Sequence, residues 1–70
     1  MAEIKIYYDE PGNTLTVWFG DPAEEAYAEE IGNEIIVMKS DEGAVLGFEK
    51  LNISFAQPGD LGVSFEKLAA

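Results

Sequence analysis

Residues 3–8 alternate in character, with Ile4, Ile6 and Tyr8 pointing one way and Glu3, Lys5 and Tyr7 the other. A period of two predicts a β-strand. Asp9-Glu10-Pro11-Gly12-Asn13 follows, where Pro11 presets its φ and Gly12 or Asn13 can take a positive φ, so the chain turns. Residues 14–19 then alternate again, Leu15, Val17 and Phe19 against Thr14, Thr16 and Trp18. β-Branched and aromatic side chains fill both runs, as a pleated and half-buried surface prefers. Together they predict a β-hairpin with a five-residue loop over residues 9–13.

Gly20-Asp21-Pro22 breaks the second strand, and residues 22–31 admit two readings. Asp21 as N-cap, Pro22 at the first helical position and Glu24 three residues after the cap form a helix start signal. Ala23, Ala26, Tyr27 and Ile31 share a helical face, and Gly32 could close such a helix. The competing reading is a strand over residues 26–31 with Tyr27, Glu29 and Ile31 on one side. Local propensity favours the helix, because Ala and Glu dominate.

Residues 34–39 contain Ile35-Ile36-Val37-Met38, apolar on both faces, which predicts a central strand covered on both sides. Ile36 and Val37 then face opposite ways and both should be largely buried. Ser40-Asp41-Glu42-Gly43 predicts a tight turn, and residues 44–51 a return strand carrying Val45, Leu46 and Phe48. Gly47 within it signals a bulge or a close backbone approach. Residues 52–57 are semi-apolar through Ile53 and Phe55, and Pro58-Gly59-Asp60 turns the chain. In the last segment Leu61, Val63 and Phe65 alternate, whereas Ser64 before Phe65-Glu66-Lys67-Leu68 permits a final helical turn.

Ile6-Tyr7-Tyr8-Asp9, Leu15-Thr16-Val17-Trp18-Phe19, Ile35-Ile36-Val37 and Asp41-Glu42-Gly43-Ala44-Val45-Leu46-Gly47-Phe48-Glu49, in that order, resemble the small prokaryotic family called Domain of Unknown Function 2283. The likeness covers roughly residues 4–54, and the tail after Asn52 lies outside what it matches. Asn13-Thr14 stands where the family commonly has aspartate and alanine, and Lys39-Ser40 replaces a more acidic approach to the turn. The resemblance implies a meander of antiparallel strands and an extended conformation for the acidic segment before Ile31. It therefore favours the strand reading of residues 27–31, and it implies no activity.

The fold expected is a mainly β, antiparallel meander of five to six strands with a short C-terminal helix at most, in a single domain over residues 1–70. Composition narrows what such a domain can do. The chain has 14 Asp and Glu against 4 Lys and no Arg, a formal net charge of -10. Phosphate backbones and anionic membranes would repel it, and no Lys cluster exists to release counterions, so neither nucleic acid nor membrane is an expected partner. Absence of Cys and His removes thiolate and imidazole chemistry and the usual zinc ligands. No apolar run reaches the ~18 residues of a membrane span, and residues 1–20 show no basic-then-apolar signal, so a cytoplasmic protein is expected.

Carboxylates are the only abundant reactive groups, in Asp9 with Glu10, Asp21 with Glu24 and Glu25, Glu29 with Glu30, and Asp41 with Glu42. Glycosidase-type catalysis needs two carboxylates across a cleft, and a hard cation needs three or more converging oxygens. Neither pattern is present, so no catalytic residue, metal or cofactor is expected, and a carboxylate enzyme ranks last. Tyr7 and Trp18 lie opposite Ile4, Ile6, Val17 and Phe19 by alternation, leaving bulky apolar groups on both faces. Either the C-terminal segment covers the second face or a partner does. The expectation is a non-enzymatic, self-associating interaction module, with Tyr7, Trp18 and Tyr27 as candidate interface residues and Trp18 near the two-fold axis of a homodimer. The alternative is an acidic inhibitor or antitoxin-like protein that neutralises a basic protein partner.

Overall fold

The computed structural model describes residues 3–53 and 62–69. Five strands form, β1 (Lys5–Asp9), β2 (Thr14–Trp18), β3 (Tyr27–Gly32), β4 (Ile35–Lys39) and β5 (Val45–Lys50), with one 3₁₀ turn at Pro22–Glu24. They make one sheet in the order β1-β2-β5-β4-β3, and every neighbouring pair is antiparallel. The expected antiparallel sheet is therefore what the chain builds.

Sheet order and chain order part at one place. β2 lies beside β5, and the segment after β2 carries the chain past β5 and β4 to the far edge, which is a Greek-key arrangement. The crossing is tied down by backbone bonds: the N–H groups of Phe19 and Gly20 both donate to the Leu46 carbonyl, at 2.9 and 2.8 Å. Gly20 suits that close approach, because a Cβ would sit 3.2 Å from the Leu46 Cα and Cβ and would force the Leu46 side chain to move. The Ala26 N–H then donates to the Lys39 carbonyl at 2.8 Å, and β3 begins.

Each reading of residues 22–31 describes part of that segment. Asp21 caps as expected, its Oδ1 accepting from the Ala23 N–H at 2.9 Å with Pro22 at the start of the turn. The turn ends after three residues, since Glu25 is already extended at φ -62 and ψ 123. Beyond it, pairing to β4 supplies a hydrogen-bonded ladder that a short isolated helix cannot match, and tertiary context overrides propensity.

Turn chemistry sets the other junctions. The first hairpin closes with four residues rather than five, because Asp9 and Thr14 already pair, and Asn13 takes the positive φ of 52. β3 and β4 are joined by Asn33 and Glu34, at φ 52 and 60, the signs of a type I′ hairpin turn. Ser40 clamps the β4–β5 turn. Its N–H donates to the Ala44 carbonyl at 3.0 Å and its Oγ accepts from the Ala44 N–H at 3.2 Å.

The core is thin. Among the described residues Val37, Met38 and Leu46 are the buried apolar side chains, all from the inner strands β4 and β5. Val37 is buried as expected, while Ile36 on the opposite face is half-buried. The second covering layer expected over β4 is not supplied by the described residues, so burial there comes from neighbouring strands. Residues 63–69 have no regular secondary structure, and the final helical turn is not formed. Phe65 and Leu68 are 85% and 91% exposed, so they cover neither face. Most of the segment expected at 52–57, with Phe55, the turn at 58–60 and Leu61, lies outside the described residues. No helix among the described residues is long and apolar enough to cross a membrane.

Candidate interaction surface

Register assigns every strand residue to a face. Ile6, Val17, Phe48 and Val37 stand opposite one another across four strands and define an apolar row. Tyr8, Leu15, Lys50 and Ile35 form the next row on the same side. The other side carries Lys5, Trp18, Gly47, Met38 and Ala28 in one row, then Tyr7, Thr16, Glu49, Ile36 and Glu30. The first side is mainly apolar and the second mixes apolar with polar groups, including a hydrogen bond from the Thr16 hydroxyl to Glu49 Oε2 at 3.1 Å.

The bulge foreseen at Gly47 lies beside it. Pairing runs from Met38↔Gly47 to Lys39↔Val45, so Leu46 is the extra residue, and its carbonyl is the acceptor that holds the crossing segment. The close approach is at Gly47 itself, where a Cβ would collide with the Val17 carbonyl and sit 3.2 Å from Trp18 Cε3. One glycine thus serves the packing and its neighbour the bulge.

The three candidate aromatics do not form one patch. Trp18 is half-buried against its own sheet at Gly47, so its indole already has a partner surface. Tyr7 shares that side but stands on the edge strand and is 55% exposed. Tyr27 pairs with Lys39 and so lies on the opposite side, at the far edge, its hydroxyl reaching over the turn at Gly43. Ile6, Val45 and Tyr27 are exposed on the apolar side by register, with Phe19 and Ile4 flanking the strands.

Charges are sorted as well. Lys39 pairs with Glu29 across β3 and β4 at 3.4 Å, and Lys50 with Glu34 at 3.6 Å. Lys5 meets Glu3 at 3.9 Å, both well exposed. The fold gathers two carboxylate clusters that are far apart in sequence: Glu24 and Glu25 from the 3₁₀ turn meet Asp41 and Glu42 around an open hollow of about 500 Å³, floored by Ala23, Ala26 and Ser40. Glu29 and Glu30 are split between the two sides of β3. Among the described residues no group of three or more acidic side chains is placed to hold a metal ion.

A family model described as "Protein of unknown function (DUF2283)" matches residues 5–54, the whole sheet. No curated protein and no solved structure matches the chain.

Proposed function

Because the chain belongs to the DUF2283 family, whose description carries no role, we propose from its geometry that it is a non-enzymatic, self-associating module acting through protein–protein contact. The observation that carries this reading is a sheet whose described residues cover neither of its own sides. A single sheet with apolar groups on both sides needs a second layer, and the described residues bury only three apolar side chains, a sparse core for an independent domain.

Light scattering coupled to size exclusion tests the reading across a range of concentrations. A dimer or larger assembly that dissociates on dilution is the expected result. A monomer at the highest concentration reached would overturn it.

A second reading, binding of a basic protein, is favoured by the hollow between the 3₁₀ turn and the β4–β5 turn, whose lining includes four carboxylates and no lysine. Reversing Glu24, Glu25, Asp41 and Glu42 to Lys should abolish capture of a basic partner from host extract if this reading is correct. Capture that survives the four reversals rejects it.

A further inference from the structure

The two edges of the sheet are built differently. β3 guards its own edge: its register slips between Glu30 and Gly32, and Glu29 and Glu30 place a negative charge on each side. Two such strands laid together would set many like charges close to one another. β1 has none of these devices. It pairs with β2 over all five residues without a slip, it holds no proline, and its ends carry opposite charges, Lys5 and Asp9, symmetrically about Tyr7.

We propose that β1 is the docking edge for a second copy of this chain, which adds antiparallel about a two-fold axis through Tyr7 and joins two five-stranded sheets into one. This rests on the self-association proposed above and names its surface. An axis normal to the sheet must pass midway between a residue and its own copy in the partner, because residues directly opposite each other share a face. Through Ile6 it would set Asp9 against the partner's Glu3, a like-charge pair. Through Tyr8 it would set Lys5 against the partner's Pro11 and Asp9 against the partner's Tyr7, so neither charge would meet its opposite.

Only the axis at Tyr7 pairs both charges, Lys5 with the partner's Asp9 and Asp9 with the partner's Lys5. Ile6 then stands opposite the partner's Tyr8 and gains cover for a side chain that is 41% exposed in the single chain. Tyr7 meets its own copy on the Trp18 side. The long Lys5–Glu3 contact, at 3.9 Å between exposed groups, competes little with these pairs.

The experiment is a charge exchange read by analytical ultracentrifugation at low salt, with circular dichroism to confirm folding. Lys5→Asp and Asp9→Lys each turn two attractive pairs into two repulsive ones and should weaken the dimer about tenfold or more. Combining both substitutions in one chain, or mixing the two single variants, should restore it. If Asp9→Lys disturbs the adjoining turn, Tyr7→Cys provides an independent readout, since the chain has no cysteine of its own. Air oxidation should link Tyr7→Cys chains in pairs and leave Tyr27→Cys chains unlinked.

A wild-type dimer indifferent to both single reversals, or reversals that do not rescue each other, would overturn the edge while leaving self-association through a sheet face intact. A wild-type monomer would overturn both.

Discussion

Trp18 and Gly47 stand directly opposite each other on β2 and β5, and the indole Cε3 lies 3.2 Å from the point where a side chain on Gly47 would begin. Glycine at 47 is what lets the largest side chain of the sheet lie flat across its central strand, next to buried Met38. Gly47→Ala must also push against the Val17 carbonyl, which is backbone and cannot swing aside. Overpacking of this kind costs about 1–3 kcal/mol. Urea melts should show that loss, while Gly62→Ala, which meets nothing within 4 Å, should change stability by less than about 0.5 kcal/mol. Equal behaviour of the two variants would mean that Trp18 does not rest on Gly47.

Ile36 sits between two glutamates, with Glu49 opposite it on β5 and Glu30 opposite it on β3. Ile36→Lys should therefore be tolerated better than Ile36→Asp, by about 1 kcal/mol at low salt. Val37→Asp, buried on the other side of the same strand between Phe48 and Glu29, should prevent cooperative folding because it desolvates a charge beside the like charge of Glu29. Thermal denaturation of the three variants checks the ranking. A folded Val37→Asp would show the apolar row to be open to water.

Glu34 holds a φ of 60 in a turn that asks for glycine at that place. Replacing it also removes the pair with Lys50, so the informative comparison is between two replacements that both lose it. Glu34→Gly should be more stable than Glu34→Ala by about 1 kcal/mol, since only glycine adopts that φ without strain. Identical melts would contradict the type I′ geometry.

A net charge of -10 on 70 residues repels itself, even with Lys5, Lys39 and Lys50 in ion pairs. Raising sodium chloride from about 10 mM to about 150 mM shortens the screening length from about 30 Å to about 8 Å. The melting temperature should rise over that interval. A flat or falling profile would show that local pairing outweighs the net repulsion.

Phe65 and Leu68 are almost wholly exposed in the single chain. Phe65→Ser with Leu68→Ser should then shift stability by less than about 0.5 kcal/mol. A large loss, seen together with a fall in apparent mass, would place the tail within the assembly instead of β1.

Local patterns in the sequence determined much of this protein. Period-two alternation placed β1 and β2, the continuous apolar run at 35–38 and its return strand placed β4 and β5, the Asp21-Pro22 cap appeared as one 3₁₀ turn, and the turn residues at 9–13 and 40–43 fell where their φ preferences put them. These signals need only a few neighbouring residues, because side-chain alternation and backbone sterics are local. The Gly32-Asn33 pair before the Ile35 run was a hairpin signal of the same kind, overshadowed by the helix cap upstream. The sides of Tyr7 and Trp18 were legible in the same way.

Only the tertiary structure decided that β2 pairs with β5, that the turn begun at Asp21 ends after three residues, that Tyr27 faces away from Trp18, and that Glu24 and Glu25 meet Asp41 and Glu42. Each depends on segments distant along the chain sharing hydrogen bonds and buried area. Trp18 finds Gly47 across 28 intervening residues, and that choice among pairings is made by the packing of the whole sheet, which no local window contains.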